Sequence, residues 1–349
     1  MTSPATPPRF SVIMPNYNYE KFVGAAIESV LAADWPDVEI IVVDDGSTDG
    51  SRAVIERYLP RGVKAMFKKN EGQAAACNDG YMQSSGKFLL FLDSDDLIAP
   101  DLFRKVFESW RPGVSKVQVQ MITVNADGES IGSVFPHYPA DITPEAIRKA
   151  YFASSAYATP PGSGNVYCRA FCDKIFPLEA GMDFSDSYLL STAPILGEVV
   201  TIREPLVSYR IHGSNSGAMD RIKPEKFSIE LRRAIDRNDY ASGIAARYGI
   251  AYDKTNVMKS FKNLQLRAAH LVFGSSDHPV LNDSRLSILK DTPRALAAPQ
   301  GNSTKAQWTS FFFLWLILAS PRFLSRRMLS WRYAPATRPR WLRALVSRL

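Results

Sequence analysis

The chain contains little cysteine, has no long apolar run, and lacks two common glycine-rich phosphate-binding motifs. Three cysteines in 349 residues cannot build a disulfide framework, and Cys168 and Cys172 have no zinc-ligand spacing or nearby histidine. No run of 18 apolar residues is present, so the sequence predicts no membrane-spanning helix. The absence of G-x-G-x-x-G and G-x-x-x-x-G-K-[ST] excludes a dinucleotide fingerprint and a P-loop. We expect reduced cysteines and a cytoplasmic protein.

Acidic residues are missing from one end of the chain. Residues 321–349 contain eight arginines and no aspartate or glutamate, and they follow a nine-residue apolar run at 311–319. Because the whole chain carries a formal net charge of +7, the remainder is close to neutral. Tryptophan and tyrosine interleaved with arginine favour a membrane interface. We predict that this amphipathic basic tail binds the anionic inner face of the plasma membrane peripherally. A buried core helix followed by a solvated tail is the alternative.

Apolar runs of strand length alternate with helical patterns over the first hundred residues. The runs that predict strands are residues 10–14, 38–43, 63–67 and 88–92. This alternation indicates a parallel α/β sheet flanked by helices. Three of the predicted strands are followed by polar clusters, at residues 16–18, 44–47 and 93–96. Since open sheets of this class bind ligands at the carboxyl ends of their strands, we predict a binding site at that edge.

The third cluster, Asp93-Ser94-Asp95-Asp96, directly follows an apolar strand. Two acids one residue apart can share a Mg²⁺ or Mn²⁺ ion, whose remaining positions can then bind diphosphate oxygens. A solvated turn is the structural alternative, and Asp96 is suited to cap the next helix. In the second cluster, a carboxylate can accept hydrogen bonds from a base or a ribose, although Asp-Gly is also a common turn dipeptide.

Four segments taken together resemble the family 2 glycosyltransferases, which have the GT-A fold. These segments are residues 11–32, 39–51, 69–97 and 205–216. The resemblance implies a Rossmann-like, mostly parallel sheet flanked by helices, with a helical C-terminal extension. On that basis residues 1–217 form the GT-A domain, with a nucleotide-sugar half at about 9–110 and an acceptor half at 111–217. Residues 218–304 then form the helical extension, and residues 305–349 form the tail.

The resemblance also implies roles for single residues. The segment that lines the nucleotide base and ribose corresponds to Pro15, Asn16, Tyr17 and Asn18. Asp45 corresponds to the acid that contacts the base, with Asp44 as the weaker candidate. The helix start that closes over the donor corresponds to Gly72, Gln73 and Asn78. The D-x-D segment corresponds to Asp93, Ser94 and Asp95, with Asp95 as the surer metal ligand and Asp93 beside the ribose or the donor sugar.

The catalytic base and a further ligand are expected nearer the acceptor half. Family members often carry Glu-Asp about a dozen residues before a glycine that precedes a strand. Counting back from Gly197 places Asp186 at the acid of that pair and Ser185 where the glutamate would be, so the first acid is missing. We predict Asp186 as the base, with Asp183 in reserve; a helix cap is a compatible role for Asp186. His212, in the motif Y-R-x-H-G-S-N, is expected to complete the metal shell or to contact the diphosphate.

These assignments imply a metal-dependent, inverting hexosyltransferase that uses Mn²⁺ or Mg²⁺. By family frequency the donor is a UDP-sugar, with dTDP- and GDP-sugars left open. The basic tail suggests a glycan or polyprenyl-linked acceptor in the synthesis of a bacterial surface polysaccharide.

The sequence leaves three alternatives. A catalytically degenerate GT-A protein that binds nucleotide sugars or acts as a scaffold is supported by the missing glutamate. A nucleic-acid-binding function is disfavoured, because acids at the strand ends repel phosphates. A sugar nucleotidyltransferase would need a basic, glycine-rich loop where residues 15–18 stand.

Overall fold

The computed structural model describes residues 9–179, 185–212, 223–274, 278–299, 303–334 and 338–339. These residues form two compact units. The first contains residues 9–148 and the described part of 158–212, and the second contains Lys149–Tyr157 and the described residues from 223 onward. The domain boundaries inferred from the sequence stay a prediction.

The first unit is built on a mixed sheet, in which the described residues contribute nine strands. In chain order these are β1 (Phe10–Asn16), β2 (Val38–Asp44), β3 (Lys64–Phe67), β4 (Phe88–Phe91), β5 (Leu97–Ile98), β6 (Val114–Val124), β7 (Ser130–Phe135), β8 (Asn165–Cys168) and β9 (Glu198–Arg210). Their order across the sheet is β3-β2-β1-β4-β8-β6-β9-β5, and β7 pairs with β6. Strands β1 to β4 are mutually parallel, whereas β8 runs antiparallel to both β4 and β6.

Helices connect these strands. They are α1 (Val23–Leu31), α2 (Ser51–Glu56), α3 (Gln73–Gln83), α4 (Leu102–Ser109), α6 (Arg169–Cys172) and α7 (Ser185–Leu196), while α5 (Pro144–Ser154) crosses the boundary between the units. The alternation of strands and helices predicted for the first hundred residues is therefore confirmed. Strand β9 extends over 13 residues to Arg210 and pairs with β6 along most of its length.

The core of the first unit explains why its central strands are mostly apolar. Residues Phe10 to Met14 of β1 are all buried, as expected for a strand covered on both faces. On one face the Phe10 ring packs against the rings of Phe88 and Phe103, with centroids 4.8 and 4.7 Å away. On the other face Ile41 and Val43 of β2 pack with Ala76 of α3. The polar residues that follow these strands are consequently confined to the sheet edge.

The second unit is helical in its described residues from 223 onward. It contains α8 (Pro224–Arg247), α9 (Phe261–Phe273), α10 (Arg285–Ala297), α11 (Thr304–Ala319) and α12 (Arg322–Tyr333). Ser284 and Ser287 form a reciprocal capping box at the start of α10. The buried Arg267 guanidinium donates to the carboxylates of Asp283 and Asp291, which ties α9 to α10 and the residues before it. The helical C-terminal extension predicted from the sequence is confirmed by these helices.

The apolar run at 311–319 lies in α11 and has two faces. Leu314, Ile317 and Leu318 are buried in the core of the second unit, together with residues of α8, α9, α10 and α12. The outward face exposes Trp308, Phe312, Trp315 and Leu316. Within the described residues, no helix is long and apolar enough to cross a membrane.

Two helical glycines offer a matched test of the packing between α3 and the sheet. A methyl group at Gly80 would overlap the side chain of Ile13 and stand 3.3 Å from Val43, whereas nothing lies within 4 Å of the corresponding position at Gly243 in α8. We expect Gly80→Ala to lower the free energy of unfolding by about 1–3 kcal/mol through overpacking. Gly243→Ala should raise it by up to about 1 kcal/mol through helix propensity. Urea unfolding of both variants measures this, and equal changes would contradict the packing described.

Candidate active site

The ends of β1 and β2 form one side of the candidate site. Asn16 and Asp44 are partners in the parallel register, and the Asn16 side chain donates to Asp44 Oδ2 over 2.8 Å. Asp44 Oδ1 accepts the amide of Ser47 at 2.9 Å, as in the Asp-Gly turn that the sequence indicates. Asn16 Oδ1 is buried and has no hydrogen-bond partner among the described residues. An acceptor is thus left available for a ligand at the end of β1.

Asp45 organises the loop before α3. Its two carboxylate oxygens accept the backbone amides of Glu71 and Gly72 at 2.9 and 2.7 Å. Gly46, with φ of 77°, permits this arrangement, since a Cβ there would stand 2.7 Å from the amide nitrogen of Asn70. The structure therefore joins two segments that the sequence analysis treated separately, residues 44–47 and the start of α3.

Acidic side chains crowd the turn after β4. Burial, and then the charge of Asp96, raises the pKa of Asp93 above its ordinary value. Burial and the charge of Asp95 raise the pKa of Asp96 to about 7. Asp96 Oδ2 is buried and has no hydrogen-bond partner among the described residues. This cluster has an excess of negative charge that a bound cation would relieve.

His212 reaches this turn from the end of β9. Its Nε2 lies 2.9 Å from Asp95 Oδ2, and its ring stacks on Phe22 at 4.6 Å between centroids. The buried Arg210 donates its Nε to the Asp95 carbonyl at 2.8 Å, and Asp96 Oδ1 accepts the Arg210 amide at 3.1 Å. Residues 117 positions apart in the chain are thereby brought together.

The described residues contain no preformed group of three or more histidine, cysteine, aspartate or glutamate side chains placed to hold a metal ion. The donor set nevertheless fits Mg²⁺ or Mn²⁺, because these ions commonly use one or two carboxylates and take other ligands from water and substrate phosphates. Asp93, Asp95 and His212 are the residues available for that purpose, and the unpartnered Asp96 oxygen adds to the local negative charge.

Asp186 approaches the same region from the start of α7. Its Oδ2 accepts the amide of Gly162 at 3.3 Å. A Cβ built on Gly162 would stand 3.6 Å from both the Asp186 Cβ and Asp93 Oδ2. The neighbouring Ser163 hydroxyl accepts the Asp93 amide at 3.1 Å. One short loop therefore contacts both the predicted base and the first acid of the D-x-D segment.

The remaining predicted residues take up varied positions. Tyr17 is exposed at the edge of the site, and Gln73 Nε2 lies 3.4 Å from Asp93 Oδ1. Asn78 exchanges two hydrogen bonds with the backbone of Leu178, so its amide is already engaged with protein groups.

The Ser94 hydroxyl donates to the carbonyl of Pro15. Asn18, with φ of 60°, accepts the amide of Thr48 at 2.7 Å. Asp183 lies outside the described residues.

The polar ends of β1 and β2, the acidic turn after β4 and the Asp186 carboxylate belong to one mixed α/β unit, and the comparisons with known proteins give its class. Residues 11–161 match the family model described as glycosyl transferase family 2. A Nostoc sp. protein named uncharacterized glycosyltransferase alr2836 is 33% identical over 268 residues, covering 74% of this chain and 81% of that protein. The chain belongs to glycosyltransferase family 2, and it is a glycosyltransferase.

A second relative differs in length. The glycosyltransferase GlyA of Streptococcus pneumoniae is 26% identical over 239 residues, which covers 64% of this chain and 33% of that protein. The chain thus spans about a third of this relative, so the relative's remaining parts have no counterpart in the alignment.

Two solved structures support the fold. S. aureus TarS residues 1–349, in complex with UDP-GlcNAc, matches with a TM-score of 0.54 and 18% identity, covering 93% of this chain and 91% of that one. The mannosyltransferase PcManGT of Pyrobaculum calidifontis, in complex with GDP-Man and Mn²⁺, has a TM-score of 0.51 and 18% identity, covering 99% and 90%. The predicted GT-A fold is confirmed.

Several residues that contact the predicted ones were not identified from the sequence. Gly162 and Ser163 belong to a T-P-P-G-S-G segment that indicates only a loop. Phe22 is part of an ordinary helical pattern, yet its ring packs on His212. Arg210 lies within the Y-R-x-H-G-S-N motif, and that motif was the one available signal for its role beside Asp95.

Proposed function

We propose that the protein is an inverting, metal-dependent hexosyltransferase that moves a sugar from a UDP-sugar to a hydroxyl of a glycan or polyprenyl-linked glycan. The observation that carries this proposal is the approach of Asp186 and Asp93 to Gly162, where a Cβ would stand 3.6 Å from both side chains. A base and a donor-binding acid that contact the same short loop suit an in-line transfer, in which acceptor and leaving group lie on opposite faces of the sugar carbon.

The donor assignment rests on the sheet edge. The unpartnered Asn16 oxygen and the exposed Tyr17 offer an acceptor and a ring surface for a nucleoside. The structural relatives bound to UDP-GlcNAc and GDP-Man support a nucleoside diphosphate sugar in general. We favour uridine, with guanosine and deoxythymidine as the alternatives that a donor panel distinguishes.

In the proposed mechanism, Asp186 accepts the proton of the acceptor hydroxyl as that oxygen attacks the anomeric carbon. A new carbon–oxygen bond forms, the bond from the anomeric carbon to the diphosphate oxygen breaks, and the nucleoside diphosphate leaves. Asp93, Asp95 and His212 would hold a divalent cation that supplies positive charge beside the leaving diphosphate. The loop at 162–163 contacts both residues, since the Ser163 hydroxyl accepts the Asp93 amide and the Gly162 amide donates to the Asp186 carboxylate.

The acceptor assignment rests on the second unit. Trp308, Phe312, Trp315 and Leu316 recur at helical spacing on the exposed face of α11, and the Trp308 and Phe312 rings stack at 5.6 Å. Phe323 and Leu324 are exposed in α12, where four arginines alternate with apolar residues. Aromatic and basic side chains in adjacent helices suit an anionic lipid surface. We therefore propose peripheral binding to the inner face of the plasma membrane and a role in surface-polysaccharide synthesis.

The assignment of Asp186 as the base predicts that a conservative substitution of this residue greatly lowers turnover. Asp186→Asn should lower kcat by about 10²–10⁴-fold, because it removes the proton acceptor and retains the shape. Nucleoside diphosphate release from UDP-, GDP- and dTDP-sugars, with a polyprenyl-linked acceptor, is the measurement. Asp141→Asn, at an exposed surface position, is the control.

Three outcomes would change the proposal. If Asp183→Asn abolished turnover and Asp186→Asn did not, the base would be Asp183. Turnover near the wild-type rate in both variants would contradict base catalysis by this segment. Donor binding by calorimetry without any turnover by the wild-type protein would favour the nucleotide-sugar-binding alternative.

The metal assignment predicts that donor affinity depends on both the cation and Asp95. In calorimetry with Mn²⁺, Asp95→Asn should weaken binding of the donor by about tenfold or more, since a charged metal ligand is lost. EDTA should weaken binding to the wild-type protein to a similar degree. Asp101→Asn, which changes a carboxylate paired with Lys105 at the start of α4, serves as the control. Unchanged donor affinity for Asp95→Asn would refute its role as a ligand.

The membrane proposal predicts that aromatic residues on the exposed helix faces are needed for vesicle binding. Phe312 and Phe323 are 61% and 69% exposed, and burying such a side chain in lipid contributes about 1.5–3 kcal/mol. Phe312→Ser combined with Phe323→Ser should abolish sedimentation with vesicles that contain phosphatidylglycerol. Leu281→Ser, at a residue 90% exposed outside these helices, should leave sedimentation unchanged. Equal sedimentation of the double variant and the wild-type protein would overturn the proposal.

A further inference from the structure

We infer that Lys116 is a positioning residue for the proposed base Asp186 and acts through the loop of residues 159–164. The inference rests on the function proposed above. No sequence motif marks Lys116, which lies in β6 within the segment V-S-K-V-Q-V-Q.

Lys116 is a lysine with no exposed surface in the middle of a central strand. Its side chain is 0% exposed, and Val114, Val117 and Val119 of the same strand are buried core residues. A buried amine is costly unless its donors are used, so an aliphatic residue would suit this strand better for stability alone. The Lys116 amine donates to Thr159 Oγ1 at 2.9 Å and to Asn165 Oδ1 at 2.8 Å. These two hydrogen bonds therefore reach the two ends of one loop.

The Asn165 side chain connects Lys116 to the loop backbone. Its oxygen faces Lys116, and its amide nitrogen lies within hydrogen-bond distance of the carbonyls of Pro160, Pro161 and Gly162, at 3.2, 2.9 and 3.1 Å. The lysine thus fixes the orientation of the Asn165 amide, because an ammonium or amine donor requires the oxygen on its side. With that orientation, the nitrogen is directed at three successive loop carbonyls.

The far side of the loop meets the acids of the candidate site. Gly162 donates its amide to Asp186 Oδ2, and the Ser163 hydroxyl accepts the amide of Asp93. Burial lowers the pKa of Lys116 well below its ordinary value, and the charge of Asp186 acts in the opposite direction, so the two groups are within electrostatic reach. A continuous series of contacts therefore runs from the buried amine to the proposed base.

Lys116→Met tests this role, since methionine fills a similar volume and cannot donate. We expect kcat for transfer to fall about 10–100-fold, in line with the cost of a small misplacement of a reacting group. The donor KM should change less than kcat, because the Asn165 amide contacts Gly162, whose own amide donates to Asp186, whereas the Asp93 amide is held by the next residue, Ser163. In the Asp186→Asn background the same change should have no further effect on kcat, because the lysine acts through that carboxylate.

Gln118→Met is the matched control. Gln118 is also fully buried, lies two residues along β6 on the same face, and donates to Ala158 and Thr201 outside the loop. A kcat loss in Lys116→Met no larger than in Gln118→Met would overturn the inference. If Lys116→Met lowered kcat equally in the wild-type and Asp186→Asn backgrounds, the inference would also be overturned, since a general structural effect would not depend on Asp186.

Amide hydrogen exchange supplies a readout that needs no turnover. Lys116→Met should speed exchange at Gly162 and Gly164 about tenfold or more, and Gln118→Met should not. If methionine at 116 prevents folding, Thr159→Val removes one acceptor of the amine at nearly the same shape and should give a smaller effect in the same direction. Absence of turnover in the wild-type protein would refute the proposed function, whereas unchanged exchange at Gly162 would refute the positioning role.

Discussion

The parallel placement of β1 between β2 and β4 is the constraint on which the candidate site depends. Most side chains of these strands are apolar and are buried on both faces, so the polar residues that follow the strands lie together at one edge of the sheet. The register then sets Asn16 opposite Asp44, while the Leu92 amide donates to the Ile13 carbonyl and leads β4 into the D-x-D turn. Burial of hydrocarbon in the strands thereby determines where the carboxylates meet.

The acids at that edge are held in an electrostatically unfavourable arrangement. Burial and mutual repulsion raise the pKa of both Asp93 and Asp96, which means that their ionised forms are less stable here than in water. Folding tolerates this cost because the surrounding contacts are numerous, as where Arg210 holds the Asp95 carbonyl and the Ser163 hydroxyl accepts the Asp93 amide. Such stored repulsion is typical of a site whose stable form includes a cation and an anionic ligand.

Sequence patterns predicted the fold and the local clusters, and they missed most contacts between distant segments. Asp93 and Asp95 were predictable because a strand and its following acids are contiguous in the chain, and His212 because its motif is contiguous as well. Gly162 was not predictable, since its significance is the space it leaves between two acids from other elements. Lys116 gave no signal either, because its partners Thr159 and Asn165 are known only once β6 and β8 are paired.

Helix α11 illustrates why an apolar run has two interpretations until packing is known. Nine consecutive apolar residues give no helical periodicity, so the sequence could not separate a core helix from an interfacial one. In the structure the run is partly buried and partly exposed. Leu314, Ile317 and Leu318 complete the core of the second unit, and Phe312, Trp315 and Leu316 stay exposed. The inward residues anchor the helix, so the outward aromatic face is held on a folded support. For the membrane binding proposed above, a face that is already ordered avoids the entropic cost that a disordered tail would incur.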